Sequence, residues 1–411
     1  MKIVGIIAEY NPLHNGHVYH IEQAKKLSGA DKCIVVMSGN FVQRGEPAVA
    51  DKFQRAEWAV RAGADLVIEL PSVYAVSSAE RFALGGIRTL IGTGIVTHLS
   101  FGCEEPDIDR LLKMSDMLAN ETPEFKESLH YHLKQGKSYP RARYDALYNL
   151  GIPEEDLDII DKPNNILAIE YLRALKLYAP DVVPVPVARD SCTYDQETLS
   201  GYLSSATAIR LALSENREEV LGTMPFFVGG KLFYDEDYPV SMQSFEKMIL
   251  YRLRMMHPED IARLPDVTEG FENLISDSVR NACSLNDLLD KIKSKRYTMS
   301  RCKRIMLSAL LNITKSDLIH SIQNKAADYI HVLAVNQDSQ NLISAMRKYG
   351  YAPVLMKKKD QYYCNEMIQR NVSVDSLSTD IYSIATGAEI RRDYQGPLMV
   401  SSKSLNPEDA F

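Results

Sequence analysis

The chain has little of what would mark a stapled, membrane-bound or coat protein. Its 411 residues include one Trp, six cysteines and no low-complexity tract. Cys33, Cys103, Cys192, Cys283, Cys302 and Cys364 form no CxxC, and no Cys/His spacing suits zinc. That excludes a disulfide scaffold and points to scattered thiols in a reducing compartment. No run approaches the roughly 20 apolar residues of a membrane span. The apolar start MKIVGIIAEYNP is too short for a signal peptide and has no cleavage signature. A cytoplasmic protein is expected, with no membrane contact, and nothing suggests a protein partner. Basic charge is also not in excess: 47 Lys and Arg against 54 Asp and Glu give a net charge of -7. This excludes a uniformly cationic nucleic-acid coat protein and leaves room for a local basic patch.

What is present is alternation. Short apolar runs at Ile3–Ala8, Cys33–Met37, Leu66–Leu70, His98–Phe101 and Val182–Val187 read as strands buried on both faces. Amphipathic stretches between them (His17–Leu27, Gln54–Ala62, Ser78–Ile91 and several from Ile108 to Tyr178) read as helices. The pattern predicts an α/β domain over residues 1–220, a Rossmann-like doubly wound parallel sheet with ligands beyond the strand ends. Residues 221–411 read as a mostly helical region: a connector at Phe227–Tyr238, then helices at Ser244–His257, Ala282–Lys293 and Arg301–Leu311. A small α/β element follows, with strands at Tyr329–Val335 and Ala352–Met356 around a helix at Ser339–Tyr349.

The strongest local signal directly follows the first strand: Asn11-Pro12-Leu13-His14-Asn15-Gly16-His17, an HxGH opening a helix near Gly16. Gly16 lets backbone approach a phosphate, and the helix N-terminus supplies free N–H groups and a favourable dipole. His14 and His17 lie on one face and can donate to a phosphate whose charge grows in the transition state. Asn11 adds a neutral donor. The motif resembles the nucleotidylyltransferase superfamily, whose second signature is a Ser/Thr-rich helix N-cap followed by Arg. Ser204-Ser205-Ala206-Thr207-Ala208-Ile209-Arg210 matches it in the expected order. Ser204 and Ser205 then face the β- and γ-phosphates, and Arg210 reaches the same anion with a planar fork.

Longer stretches narrow the resemblance: GIIAEYNPLHNGHVYH (5–20), MSGNFVQRGEP (37–47), GADLVIELP (63–71), FGCE (101–104) and KPNNILAIEY (162–171). Together they resemble the bacterial tRNA(Met) cytidine acetate ligase family over essentially the whole chain. That resemblance implies activation of acetate by ATP to acetyl-adenylate, with transfer to N4 of the wobble cytidine of elongator tRNA(Met). It carries the ATP site onto Ile7, Ala8, Glu9, Tyr10, Asn11, Pro12, Leu13, His14, Asn15, Gly16, His17, Val18, Tyr19 and His20. Gly102, Arg189 and one Asn of the PNN motif, Asn164 or Asn165, complete it. Catalysis is expected from His14, His17, Ser205 and Arg210 without a covalent intermediate. Mg²⁺ is expected on the triphosphate, held mainly by phosphate and water, because no carboxylate cluster stands out.

Asn40, Gln43 and Arg44 follow the second strand and are candidates to hold the acetate carboxylate. The segment Lys291–Arg304 carries seven basic residues and no acidic one. Lys293, Lys295, Arg296, Arg301, Lys303 and Arg304 are candidate phosphate contacts, with Tyr297 as a stacking platform for an unpaired base. Its YTxSR core matches the family's C-terminal motif. HxGH and SSATAIR fit equally a small-molecule adenylyltransferase acting on a phosphorylated or carboxylated metabolite; the basic segment favours the tRNA enzyme. A non-catalytic nucleotide- or RNA-binding protein would not require His14, His17 and Arg210 together.

Overall fold

The computed structural model describes residues 1–119, 122–189, 198–215, 217–235, 238–268 and 270–401. Cys192 lies outside them, and the other five cysteines are free thiols. Five parallel strands form the centre: β1 (Ile3–Ala8), β2 (Lys32–Ser38), β5 (Leu66–Leu70), β6 (His98–Cys103) and β7 (Val183–Ala188). The expected doubly wound arrangement is present, in the order β5-β2-β1-β6-β7. A two-stranded hairpin, β3 (Phe41–Val42) and β4 (Glu46–Pro47), stands apart from the sheet.

Alternating side chains explain why these runs become strands. Ile3, Ile7, Ile34, Val36, Leu66 and Ile68 fill the core on one face. Val4, Ile6, Cys33, Val35 and Val67 fill the core on the other, as a period of two requires. Helices α1 (Asn15–Ser28) and α2 (Lys52–Arg61) cover the second face through Ile21, Ala24, Ala56 and Trp58. The Ala79–Gly92 helix covers the first through Phe82, Ala83, Ile87 and Leu90. β7, with Pro184 and Pro186, lies at the sheet edge, where missing N–H donors cost least.

The small C-terminal α/β element is not a separate sheet. Its strand β8 (Ile330–Asn336) pairs antiparallel with β5, with Leu66 opposite Val335 and Glu69 opposite His331. β9 (Val354–Leu355) and β10 (Leu398–Val400) pair parallel to β8. The boundary expected at residue 220 therefore does not divide the sheet. Arg88 adds a second tie: it is buried, ion-paired with Asp328 at 2.7 Å, and donates to the carbonyls of Ser321, Ile322 and Asn324. The connector expected at Phe227–Tyr238 is instead largely a helix, Phe226–Tyr234. Val228 and Leu232 bury one turn apart against the second core, and that packing outweighs the cost of Gly229 and Gly230. No helix among the described residues is long and apolar enough to cross a membrane.

Candidate active site

The order of the central strands reverses between β1 and β6, and a cleft of about 160 Å³ opens there, beyond their carboxyl ends. Ile7, Ala8, Glu9, Tyr10, Asn11, His14, His17, His20, Gln43, Arg44, Gly102, Asn164, Arg189, Ser205 and Arg210 line it. A smaller adjoining cleft adds Gly16, Tyr19 and Ser204 and shares the three histidines, Gly102 and Arg189. Residues between positions 7 and 210 thus converge from six separate segments on one place.

The HxGH segment is built as a helix start. His14 is the N-cap of α1, and its Nδ1 accepts the Gly16 N–H at 3.1 Å. His17 Nδ1 accepts the His14 N–H at 3.3 Å, and the two rings stack 3.7 Å apart. Burial, then Arg189 and Arg210, pushes His14 down to about 3. Burial and His14 also hold His17 well below the usual imidazole range, and burial with Arg189 brings His20 to about 4. These imidazoles are therefore neutral at pH 7. With Nδ1 accepting in His14 and His17, each ring carries its proton on Nε2 and offers a neutral donor. His20 Nε2 is hydrogen-bonded to Ser100 Oγ at 3.0 Å.

These shifts carry a pH dependence. The unfolded chain binds protons at its histidines below about pH 6.5, whereas folded His14 and His20 stay neutral down to about 3 and 4. Stability from these groups is thus full above pH 6.5 and is lost as pH falls toward 4 and below. Urea midpoints measured from pH 7 to pH 4.5 should fall, and His20→Asn should make the fall shallower. An unchanged slope in that variant would refute the assignment.

Arg210 bridges the two signatures. Its guanidinium donates to the Asn11 carbonyl at 2.8 Å and to Thr207 Oγ1 at 3.3 Å. Ser205 caps the Ala206–Ser214 helix, its Oγ accepting the Ala208 N–H at 3.1 Å. Ser204 serves the preceding turn, donating to the Gly201 carbonyl at 2.8 Å and accepting the Ser200 N–H at 3.0 Å. Arg189 follows β7, and its stem crosses Gly102 so closely that a Cβ there would meet Arg189 Cγ at 3.3 Å.

Several expected ligands are structural. Leu13 is fully buried in the core, and Val18 packs against it. Pro12 does not reach the cleft lining. Asn15 Nδ2 is spent on the carbonyls of Tyr202 and Gly222. Asn40 is buried away from the cleft, its Oδ1 accepting the Lys52 N–H at 2.7 Å and its Nδ2 donating to Thr379. Of the PNN pair, Asn164 lines the cleft and Asn165 is buried behind it, accepting the N–H groups of Glu104 and Glu105. Glu104 answers from the FGCE motif. Its carboxylate takes Asn164 Nδ2 at 2.6 Å and the Asn165 N–H at 3.0 Å, where a helix N-terminus favours negative charge. FGCE and PNN are one clamp.

Sequence reasoning also missed Arg55. It is fully buried and donates to the carbonyls of Ala50, Glu9, Ser38 and Gly39, so one side chain fixes the loops after β1 and β2. Only its position before an apolar helical run hinted at burial.

The basic segment divides in two. Lys293, Lys295 and Arg296 are exposed. Arg301 grips the Asp266 carbonyl, Lys303 pairs with Glu46 at 2.5 Å, and Arg304 pairs with Asp266 at 3.5 Å. The stacking role expected of Tyr297 does not survive. Its ring already stacks on Phe271 at 3.5 Å and 8°, its hydroxyl donates to the Thr268 carbonyl, and Arg301 covers it at 4.2 Å. The Met299–Leu310 helix instead presses on the β3–β4 turn: a Cβ on Gly45 would meet Arg304 N at 2.6 Å. That turn carries Gln43, Arg44 and Glu46 into the cleft.

The family model of the HIGH nucleotidyl transferases matches residues 1–395. A tRNA(Met) cytidine acetate ligase of Acetivibrio thermocellus is 38% identical over 396 residues, covering 93% of this chain and 94% of that protein. One from Caldanaerobacter subterraneus is 39% identical, covering 94% and 96%. The chain belongs to the tRNA(Met) cytidine acetate ligase family of HIGH nucleotidyl transferases. The crystal structure of apo Thermotoga maritima TmcAL superposes with a TM-score of 0.91 at 32% identity, covering 98% of this chain and 100% of that one. The same protein bound with alpha-thio ATP gives 0.89. In this family setting, the HxGH helix start, the SSATAIR helix start and the clamped PNN helix are three N-termini around one cleft.

Proposed function

We propose that the protein is an ATP-dependent ligase that activates acetate as acetyl-adenylate and acetylates N4 of the wobble cytidine of elongator tRNA(Met). The observation that carries this is the convergence of His14, His17, Arg189 and Arg210 at the switch point of the sheet. Relatives named for the same reaction over nearly the full chain support it. An acetate oxygen attacks the α-phosphorus in line and pyrophosphate leaves. The neutral Nε2–H groups and the Arg210 guanidinium stabilise the charge that develops. Arg44 and Gln43, on the cleft-lining turn, are the acetate contacts that remain once Asn40 is set aside. Of the two carboxylates that line the cleft among the described residues, Glu46 is already paired with Lys303, so Mg²⁺ would ride on phosphate oxygens and water. Free thiols and a tRNA substrate support a cytoplasmic setting.

We assign residues 1–220 to adenylate chemistry and residues 221–411 to holding tRNA, through the exposed Lys293, Lys295 and Arg296. The metabolite adenylyltransferase reading leaves that cluster unexplained. The deciding experiment is mass spectrometry of tRNA after incubation with protein, ATP and labelled acetate. Label at the wobble cytidine of tRNA(Met) supports the proposal; label on no nucleotide, or on AMP alone, sinks it. Reversing Lys293, Lys295 and Arg296 to Glu should weaken tRNA binding at least tenfold at low salt. It should also cut the slope of log affinity against log salt by about 2 to 3, roughly 0.7–0.9 for each of the three lost phosphate contacts. Filter binding across salt concentrations reads both, and unchanged values would remove this cluster from the tRNA site.

A further inference from the structure

Acetyl transfer to cytidine raises a problem that adenylate formation does not. The N4 lone pair is delocalised into the cytosine ring, so the amine is a poor nucleophile. Attack succeeds only if a proton leaves N4 as the new bond forms. Some group in the cleft must accept it.

The histidines are poorly placed to do so. His14 and His17 each use Nδ1 to accept a backbone N–H, which leaves Nε2 as a donor. His20 Nε2 is engaged with Ser100. Among the described residues, two carboxylates line the cleft, Glu9 and Glu46. Their surroundings push them in opposite directions, the pattern that separates a working acid–base group from a structural one. Burial opposes ionisation of Glu46, yet the hydrogen bond and charge of Lys303 hold it below the usual range. For Glu9, burial dominates over the Gln43 N–H, Arg210 and Arg44, and its carboxyl rises. Among the described residues, Glu9 has no ion pair like that of Glu46 with Lys303. Its Oε1 accepts the Gln43 N–H at 2.8 Å, and its backbone carbonyl is gripped by Arg55 at 2.5 Å. The side chain is thus fixed at the end of β1, between the HxGH start and the turn bearing Arg44. A carboxylate is also the side chain that reads cytosine by accepting from N4.

We propose that Glu9 is the catalytic base of the transfer step, accepting the N4–H of the target cytosine and removing its proton. The proposal rests on the acetyl-transfer reading above. N4 attacks the acetyl carbon and a C–N bond forms. The bond from that carbon to the phosphate oxygen breaks, AMP leaves with its electron pair, and the N4 proton passes to the Glu9 carboxylate and on to solvent. A raised carboxyl suits that role, because its carboxylate holds a proton more tightly than an ordinary glutamate does.

The test is single-turnover transfer from preformed acetyl-adenylate to tRNA across pH, with acetate-dependent ATP–pyrophosphate exchange measured on the same preparations. Glu9→Gln keeps the shape and the acceptor for the Gln43 N–H. It should slow transfer by about 100-fold or more and abolish the rise of the transfer rate with pH that is expected of the wild type. Its loss in exchange should be at least tenfold smaller. Glu9→Asp should keep the pH-dependent limb at a reduced rate, which separates lost base from lost fold. Equal losses in exchange and transfer, or a Gln variant within fivefold of wild type with the same pH limb, overturn the assignment. Wild-type protein that forms no N4-acetylcytidine overturns the underlying reading as well, before any variant is compared.

Discussion

Arg210→Ala is expected to lower acetate-dependent ATP–pyrophosphate exchange by about 100- to 1000-fold, the loss typical of one preorganised transition-state donor. The geometry gives the reason. Arg210 spans from the Asn11 carbonyl to Thr207 Oγ1, joining the loop after β1 to the start of the Ala206–Ser214 helix. Those two N–H groups hold the fork in place, and the rest of the guanidinium lines the cleft. Removal deletes a positive charge and loosens two loops that bear phosphate donors. Arg210→Lys keeps the charge but cannot make both contacts with a planar fork, so it should recover only part of the rate. The loss should fall mainly on kcat if Arg210 acts on the transition state, and on KM if it only binds ATP. An Ala variant with exchange within threefold of wild type would exclude Arg210 from the chemistry.

How much of this was legible in sequence depended on how local the cause was. β1 and β5 lie at the expected residues because their two-sided burial is written into consecutive apolar residues. HxGH and SSATAIR were legible because a helix cap is a four-residue event. What failed was long-range. Pairing of β8 with β5 depends on residues more than 250 positions apart, such as Glu69 and His331. Asn40 looked like a substrate contact beside Gln43 and Arg44, and only its bonds to Lys52 and the distant Thr379 show that this one side chain is internal. Lys291–Arg304 misled for a related reason. A charge run normally marks a solvated face, yet Arg301, Lys303 and Arg304 point back onto Asp266 and Glu46, and Tyr297 is core. Its matching YTxSR motif is explained at least in part by the support it gives to the cleft-lining turn. The motif was legible, but its work was not.

Lys52→Met should destabilise the protein by about 3–5 kcal/mol, the cost of leaving buried charge without its partner. Lys52 is on α2 with no exposed side-chain surface; its Nζ lies 2.8 Å from both oxygens of Glu69 on β5. It also makes a 2.7 Å ion contact with Asp393, ahead of β10, rather than a well-directed hydrogen bond. His331 of β8 closes the group on Glu69 at 2.7 Å. Glu69, His331 and Asp393 together could hold a metal ion, but the Lys52 ammonium already supplies the cation. Nearby, burial and Glu69 push Asp375 up to about 7, and it accepts hydrogen bonds from the Ser72 N–H and the Tyr329 hydroxyl. The cluster therefore joins α2, β5, β8 and the segment before β10, which are the first and last parts of the chain. Without Lys52, Glu69 and Asp393 repel each other in an apolar surround, and the seam between β5 and β8 weakens first. Urea denaturation should show the loss, and hydrogen exchange should show β8 and β10 opening ahead of β1 and β2. Lys52→Met with Glu69→Gln and Asp393→Asn should regain part of the stability, because the triple variant removes the orphaned charges along with the ammonium. A single Lys52→Met variant as stable as wild type would show that this cluster does not hold the two ends of the chain in one sheet.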